Sequence, residues 1–319
     1  DLDSDGDLDL VAANFNSSSV SVLINNGYGI FGVRTDYSTG SNPYSVFSVD
    51  LDSDGDLDLV VANFNSSSIS VLKNNGNGTF KTKVDYATGS YPRSVFSSDF
   101  DSDGDLDLAV ANYGSNSVSV LLNIGDGTFN AKTDYTTGSI PYSIFSSDFD
   151  SDGDLDLAVT NSASNNVSIL LNNGDGIFGS RTDYTTGLDP FSVFSSDFDL
   201  DGNTDLAVAN GSSSSLSILL NKGDGTFGTK TDYAAGANSY SVFSSDLDSD
   251  GDQDLAVANG SLTSLSVLLN KGDGTFGTKT DYTTGSCPRS IFSSDLDSDG
   301  DLDLVVANTS SNSVSILLN

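Results

Sequence analysis

The residues best suited to chemistry in this sequence are aspartates, and they recur in a fixed pattern, D-x-D-x-D-G-x-x-D. In the first copy the pattern is Asp1, Asp3, Asp5, Gly6 and Asp9, with Asp7 between them. A tightly wound loop turns alternate side chains inward, so the first, third and fifth residues direct three carboxylates at one point. Glycine at the sixth place permits the sharp turn. The seventh residue offers its backbone carbonyl, and the ninth a carboxylate able to bind through both oxygens. Six or seven hard oxygen donors suit Ca²⁺. Mg²⁺ would demand a smaller octahedron and keep waters, and zinc would want nitrogen or sulfur donors. An EF-hand is excluded, because it places Glu at its twelfth position between helices. Here that place holds Ala12, Val61 or Val110. A solvated acidic turn that binds nothing would explain a single copy, but seven copies in register favour the metal.

The candidate ligands group by place in the loop. First are Asp1, Asp50, Asp99, Asp148, Asp197, Asp246 and Asp295. Third are Asp3, Asp52, Asp101, Asp150, Asp199, Asp248 and Asp297, and fifth are Asp5, Asp54, Asp103, Asp152, Asp201, Asp250 and Asp299. The seventh place, where the carbonyl counts, holds Asp7, Asp56, Asp105, Asp154, Asn203, Asp252 and Asp301. Ninth are Asp9, Asp58, Asp107, Asp156, Asp205, Asp254 and Asp303. About seven calcium ions, one per repeat, are therefore expected.

Charge agrees with a cation ligand. The 319 residues carry 12 Lys and Arg against 45 acids, all Asp, for a net charge of -33. Such a chain should repel nucleic acid and anionic membrane surfaces. Two carboxylates about 4 Å apart repel by roughly 4 kcal/mol at an effective dielectric of about 20. The metal-free loops should therefore be strained, and seven bound calcium ions would bring the net charge to about -19. With no His and one cysteine, Cys287, neither an internal disulfide nor a paired thiol nucleophile is available. Cys287 is expected to be a tolerated surface thiol. No apolar stretch approaches the length of a membrane span, so no membrane insertion is expected.

The elements that position these loops repeat with them. Copies start at residues 1, 50, 99, 148, 197, 246 and 295, each 49 residues after the last. Four short strands are predicted per unit, for example residues 45–50, 106–112, 117–123 and 129–135, joined by Asn-Gly and Gly-Asp-Gly turns. A four-stranded unit of this length predicts an all-β fold, a seven-bladed β-propeller over residues 1–319, in preference to a β-solenoid of shorter period. The first blade lacks its inner strand and the last its outer one. The chain is accordingly expected to be part of a longer one, or to find those strands in other copies of itself.

The unit resembles the FG-GAP repeat in its bacterial VCBS form, the repeat that builds the propeller of integrin α-subunits. The Phe-Gly pair stands at Phe31-Gly32, Phe178-Gly179, Phe227-Gly228 and Phe276-Gly277, and is altered at Phe80-Lys81 and Phe129-Asn130. L-A-V-A-N occupies the place of the family's G-A-P. The resemblance covers the whole chain and implies a seven-bladed propeller with calcium between the first and second strands. Integrins fill only some blades, so seven complete loops are a departure. Some fungal lectins share the architecture.

In an up-and-down blade the calcium loops and Gly-Asp-Gly turns share one face. The opposite face carries the segments that differ most between copies. There place 44 of the repeat holds Tyr44, Arg93, Tyr142, Phe191, Tyr240 and Arg289. These are candidate ligand-binding residues, suited to stacking on sugars or anchoring a protein, with capping of blade packing as the alternative. Asp36, Asp85, Asp134, Asp183, Asp232 and Asp281 follow a basic residue by two and should form ion pairs. Because each Asp class repeats around the unit and His is absent, the sequence leads to the expectation that this is not an enzyme. It reads as an extracellular or surface adhesion and recognition module with a protein or glycan partner. A structural subunit of an extracellular filament and a lectin are the alternatives.

Overall fold

The computed structural model describes residues 1–27, 30–297 and 299–319. Each repeat folds as an antiparallel sheet because apolar residues alternate with Ser, Ala and Asp along runs too short for a helix. The chain divides into two compact units, Asp1–Ser146 with Asn172–Ser180, and Ser147–Leu171 with Arg181–Asn319.

In the first unit, β1 (Leu10–Asn14), β2 (Ser19–Leu23) and β3 (Thr35–Ser38) form a three-stranded sheet. Two four-stranded sheets follow. One is β4 (Pro43–Val49), β5 (Asp58–Asn63), β6 (Ser68–Leu72) and β7 (Val84–Ala87). The other is β8 (Pro92–Ser98), β9 (Asp107–Asn112), β10 (Ser117–Leu121) and β11 (Thr133–Thr136). The fourth sheet consists of β12 (Pro141–Ser147), β13 (Asp156–Asn161), β14 (Asn166–Leu170) and β15 (Thr182–Thr185). The second unit contains β16 (Pro190–Ser196), β17 (Asp205–Asn210), β18 (Ser215–Leu219) and β19 (Thr231–Ala234), and then β20 (Ser239–Ser245), β21 (Asp254–Asn259), β22 (Ser264–Leu268) and β23 (Thr280–Thr283). It ends in the three-stranded β24 (Pro288–Ser294), β25 (Asp303–Asn308) and β26 (Ser313–Leu317). The fold is the expected all-β, seven-bladed β-propeller, with three strands in the first and last blades. Among the described residues no helix is long and apolar enough to cross a membrane.

The core lies between neighbouring sheets, and the second strand of each supplies both sides. Along β5, Leu59 and Val61 pack with Val20 and Val22 of the first blade. Val60 and Ala62 face the other way, onto Val95, Leu108 and Val110 of the third. This two-sided burial explains why the strand reads as a nearly continuous apolar run. The second unit repeats it, with Ala207 and Ala209 against Val242 and Leu255.

The second strand matches expectation to within a residue and the third ends at Leu121 instead of Asn123, but the first and fourth differ more. The first strand begins earlier, at Pro43 and its equivalents, with a register shift such as that between Pro92 and Ser94. The fourth begins later. Phe129 makes only an isolated bridge with Asn123, and regular pairing resumes at Thr133 opposite Val120. The chain bulges between them, because the Asn130 N–H still donates to Leu122 O (2.8 Å) while intervening residues have no partner position.

Leu108 is fully buried in the first unit. Leu108→Ala should lower stability by about 2–5 kcal/mol, read as a lower denaturation midpoint with an unchanged slope.

Candidate metal centre and recognition face

Each Asp-rich loop joins the first strand of a blade to the second, and its own carboxylates shape it. In the loop between β8 and β9, Asp99 Oδ2 accepts the Gly104 N–H (3.0 Å) and Asp99 Oδ1 the Asp103 N–H (3.2 Å). Asp103 Oδ1 accepts the Asp105 N–H (2.9 Å). The sixth-place glycines have φ between 89° and 99°, as the sharp turn requires. Among the described residues the fourth place is left-handed as well, including Leu200 at φ 61°. The sequence offered no sign of that, since serine is the usual occupant.

The ninth-place aspartate binds the loop to the sheet. Asp107 is fully buried; its Oδ2 accepts the Phe100 N–H (2.8 Å) and its Oδ1 the Asn123 N–H (2.7 Å). Asp58 and Asp205 repeat the arrangement. Burial, which outweighs these donors, pushes the carboxyls of Asp107 and Asp205 up to about 7 and that of Asp58 to about 6. Asn123 adds a link that sequence reasoning missed. Its Nδ2 donates to Leu106 O (3.0 Å) in its own blade and to Leu51 O (2.8 Å) in the loop of the preceding one. Asn74 does the same to Leu57 and Leu2. The only available signal was an invariant Asn after each third strand.

Within each loop the first, third and fifth or ninth carboxylates converge. Ligand oxygens of Asp1, Asp3 and Asp5 lie within 4.8 Å of one another, as do those of Asp50, Asp52 and Asp54. The same holds for Asp99, Asp101 and Asp107, for Asp148, Asp150 and Asp156, and for Asp197, Asp199 and Asp205. The seventh-place side chains lie beside the turn glycines of their own blades: a Cβ on Gly125 would meet Asp105 Oδ2 at 2.8 Å. This contact also places loops and turns on one face, as expected. Burial and then neighbouring carboxylates push Asp3, Asp101 and Asp150 upward.

These residues fit a hard cation. The Oδ1 atoms of Asp3, Asp50, Asp52, Asp101, Asp148 and Asp150 are buried without a hydrogen-bond partner. A buried acceptor left unmet costs about 1–3 kcal/mol, and more when charged. An all-oxygen donor set of this kind matches calcium in chemistry.

The opposite face differs between blades. Tyr44, Arg93, Phe191, Tyr240 and Arg289 are each the extra residue at the first-strand register shift, and such a bulge re-aims a side chain. In the first unit the Arg93 guanidinium carbon sits 4.3 Å from the Tyr44 ring centroid and 3.4 Å from that of Tyr142. It donates to both hydroxyls, which lie 3.2 Å apart. Phe64 extends the patch, stacking on Tyr91 (4.9 Å) and flanking Tyr44 and Phe15. In the second unit Arg289 lies 4.0 Å over Tyr240, which meets Phe191 at 5.1 Å. Where the first unit has Phe15, Phe64 and Tyr113, the later repeats have Ser162, Gly211, Gly260 and Thr309. Within the first unit Tyr44, Arg93 and Tyr142 cluster beside aromatic place-15 residues, and within the second Phe191, Tyr240 and Arg289 cluster where place 15 is small.

The basic residues before the fourth strands pair as expected, Lys83 with Asp85 and Arg181 with Asp183 among them. Each such Asp also accepts from a serine on the third strand, as Asp134 Oδ1 does from Ser119 Oγ (2.6 Å).

Six overlapping segments, residues 1–61, 50–110, 99–159, 148–208, 197–257 and 246–306, match the FG-GAP-like repeat, and the chain belongs to that family. A comparison with curated proteins gave no match. Among solved structures, an Agrocybe aegerita lectin that recognises non-reducing terminal N-acetylglucosamine is 20% identical, with a TM-score of 0.58, over 87% of this chain and 80% of that one. Pseudomonas aeruginosa periplasmic gluconolactonase is 18% identical with a TM-score of 0.60, over 92% of this chain and 87% of that one. BBS1N, solved in complex with ARL6DN, is 13% identical with a TM-score of 0.68, over 100% of this chain and 90% of that one. At these identities the likeness is one of fold.

The expectation that the chain is not an enzyme is corrected by this comparison, since a gluconolactonase has the same fold. Neither a missing histidine nor a symmetric scaffold excludes catalysis. Carboxylates serve as acids and bases, bound metals activate water, and function resides in sites grafted on a fold. The symmetry is itself broken by the aromatic surround of Arg93.

Asp107→Asn replaces one acceptor oxygen by an NH₂ that faces a backbone N–H. It should destabilise the protein by about 1–3 kcal/mol, seen as a lower melting temperature with calcium present or absent.

Proposed function

We propose that this chain is a calcium-organised recognition module that works outside the cell or on its surface. The observation that carries the calcium reading is the set of buried, unpartnered Oδ1 atoms among converging carboxylates. In this reading each loop holds one ion. The first and third carboxylates supply those oxygens, with the fifth and ninth completing the set. Calcium would supply charge neutralisation, and the chain's own turns supply the geometry. Millimolar extracellular calcium suits sites of modest affinity, with dissociation constants of about 10⁻⁴ to 10⁻³ M.

The metal side then acts as a brace, and the opposite face carries recognition. Support comes from the aromatic patch around Arg93, where Phe15 and Tyr91 are exposed. Large aromatics with a polar edge anchor partners at low entropic cost. Carbohydrate binding is a second reading, favoured by the same patch, since exposed ring faces stack on the apolar faces of sugars. The lectin of similar fold adds an analogy to that reading.

Calcium at about 100 times its dissociation constant adds about 2.7 kcal/mol per site. Scanning calorimetry should therefore show a melting temperature several degrees higher in calcium than in chelator, and identical curves would remove the calcium reading. A calcium-containing glycan array and a surface-protein pull-down would identify the ligand. Phe64→Ala and Tyr91→Ala should each weaken its binding by about tenfold or more, the scale of a lost interface anchor. Unchanged affinity in both variants would place recognition elsewhere.

A further inference from the structure

Place 24 of the repeat, immediately after the third strand, is Leu or Ile in six copies and Lys73 in one. In four of the apolar copies, Ile24, Leu122, Leu171 and Leu220, the side chain lies between the third-place aspartate of its own loop and a glycine of the next blade's turn. A Cβ built on Gly176 would meet Leu122 Cδ2 at 2.8 Å and Asp101 Cβ at 3.6 Å; one on Gly78 would meet Ile24 Cδ1 at 2.7 Å and Asp3 Cβ at 3.3 Å. Lys73 fills the same slot, since a Cβ on Gly127 would meet its Cε at 2.9 Å and Asp52 Cβ at 3.4 Å. Its end differs. The ammonium lies 3.1 Å from Asp52 Oδ2 and donates to Asp126 O in the next blade's turn.

Asp52 is therefore the one third-place carboxylate seen with a lysine partner among the described residues. Its Oδ1 remains buried and unpartnered, beside ligand oxygens of Asp50 and Asp54. A fixed cation on one oxygen of a carboxylate weakens the other as a donor and repels a divalent ion nearby. Before any ion binds, the same cation offsets the mutual repulsion of the loop's five aspartates.

We propose that Lys73 is a tethered counter-ion that makes the Asp50–Asp58 loop the weakest of the calcium sites and the one least dependent on calcium for its fold. The inference rests on the calcium reading above and goes beyond it, because it distinguishes one loop from six near-identical ones. It also predicts that partial calcium depletion empties this loop first.

The test is calcium equilibrium dialysis on the full chain, paired with thermal unfolding in chelator. The variants are Lys73→Leu, Lys73→Gln and Leu122→Lys. Removing the charge with Leu or Gln should tighten one equivalent of calcium by about tenfold, the scale of one partly screened charge interaction. It should also lower the melting temperature of the metal-free protein. Leu122→Lys should weaken one further equivalent and raise metal-free stability. Seven bound equivalents whose isotherm is the same with and without the Lys73 charge would overturn the role of Lys73 while leaving the calcium reading intact. No calcium bound by any form would overturn both. Gln keeps a polar, uncharged end at this place and Leu122→Lys alters a different blade, so a folding failure of Lys73→Leu alone leaves the test in force.

Discussion

A buried carboxylate that accepts two backbone N–H groups, seen at Asp58, Asp107, Asp205, Asp254 and Asp303, sits at the root of the blade, and the remaining structure is arranged around it. Asp107 joins the start of its loop, through Phe100, to the end of the third strand, through Asn123. It thereby fixes where the loop begins and ends and which way the other four aspartates point. Asn123 carries the same connection into the preceding blade at Leu51. Loop, sheet and neighbouring blade are thus linked through one aspartate and one asparagine, repeated along the chain. Charge-assisted bonds to a buried carboxylate are among the stronger hydrogen bonds, and costly to leave half made.

The arrangement creates an electrostatic problem. Holding the loop closed gathers first-, third- and fifth-place carboxylates, and inner oxygens of the first and third places, such as those of Asp50, Asp52 and Asp101, find no donor in the protein. Surface lysines do little to help, because Lys83, Lys132, Lys230 and Lys279 pair instead with aspartates on the fourth strands of their blades. Lys73 is placed differently, and its contact with Asp52 is a local version of the compensation that a metal ion would provide in the other loops. Apolar burial between blades, illustrated by Leu59 and Val61 on one side and Val60 and Ala62 on the other, then supplies the stability that packs the sheets.

Much of this was legible in the residues. The 49-residue period and the alternation along L-D-L-A-V-A-N define the sheets, and the aspartate spacing defines the loops. Other features depend on geometry that spacing does not carry. The fourth strand starts at Thr133 and not Phe129, because the chain bulges after a single bridge. Leu200 adopts a left-handed conformation that only the loop's closure explains. The clustering of Tyr44 and Arg93 with Tyr142 follows from the register shifts at Tyr44 and Arg93 in their first strands, which re-aim those side chains. Repeat symmetry in the sequence also concealed how unequal the blades are on that face, where Phe64 and Tyr113 give way to small residues.

The two faces therefore have different physical roles: one manages charge, and the other displays rings around a cation. The claim that joins them is that the aspartate loops take calcium. It is tested most directly by anomalous diffraction from crystals grown in millimolar calcium. Calcium-loaded loops should each show a peak about 2.3–2.6 Å from oxygens of the first, third and fifth aspartates. Loops that show no peak, their carboxylates met only by water and backbone N–H groups, would contradict it.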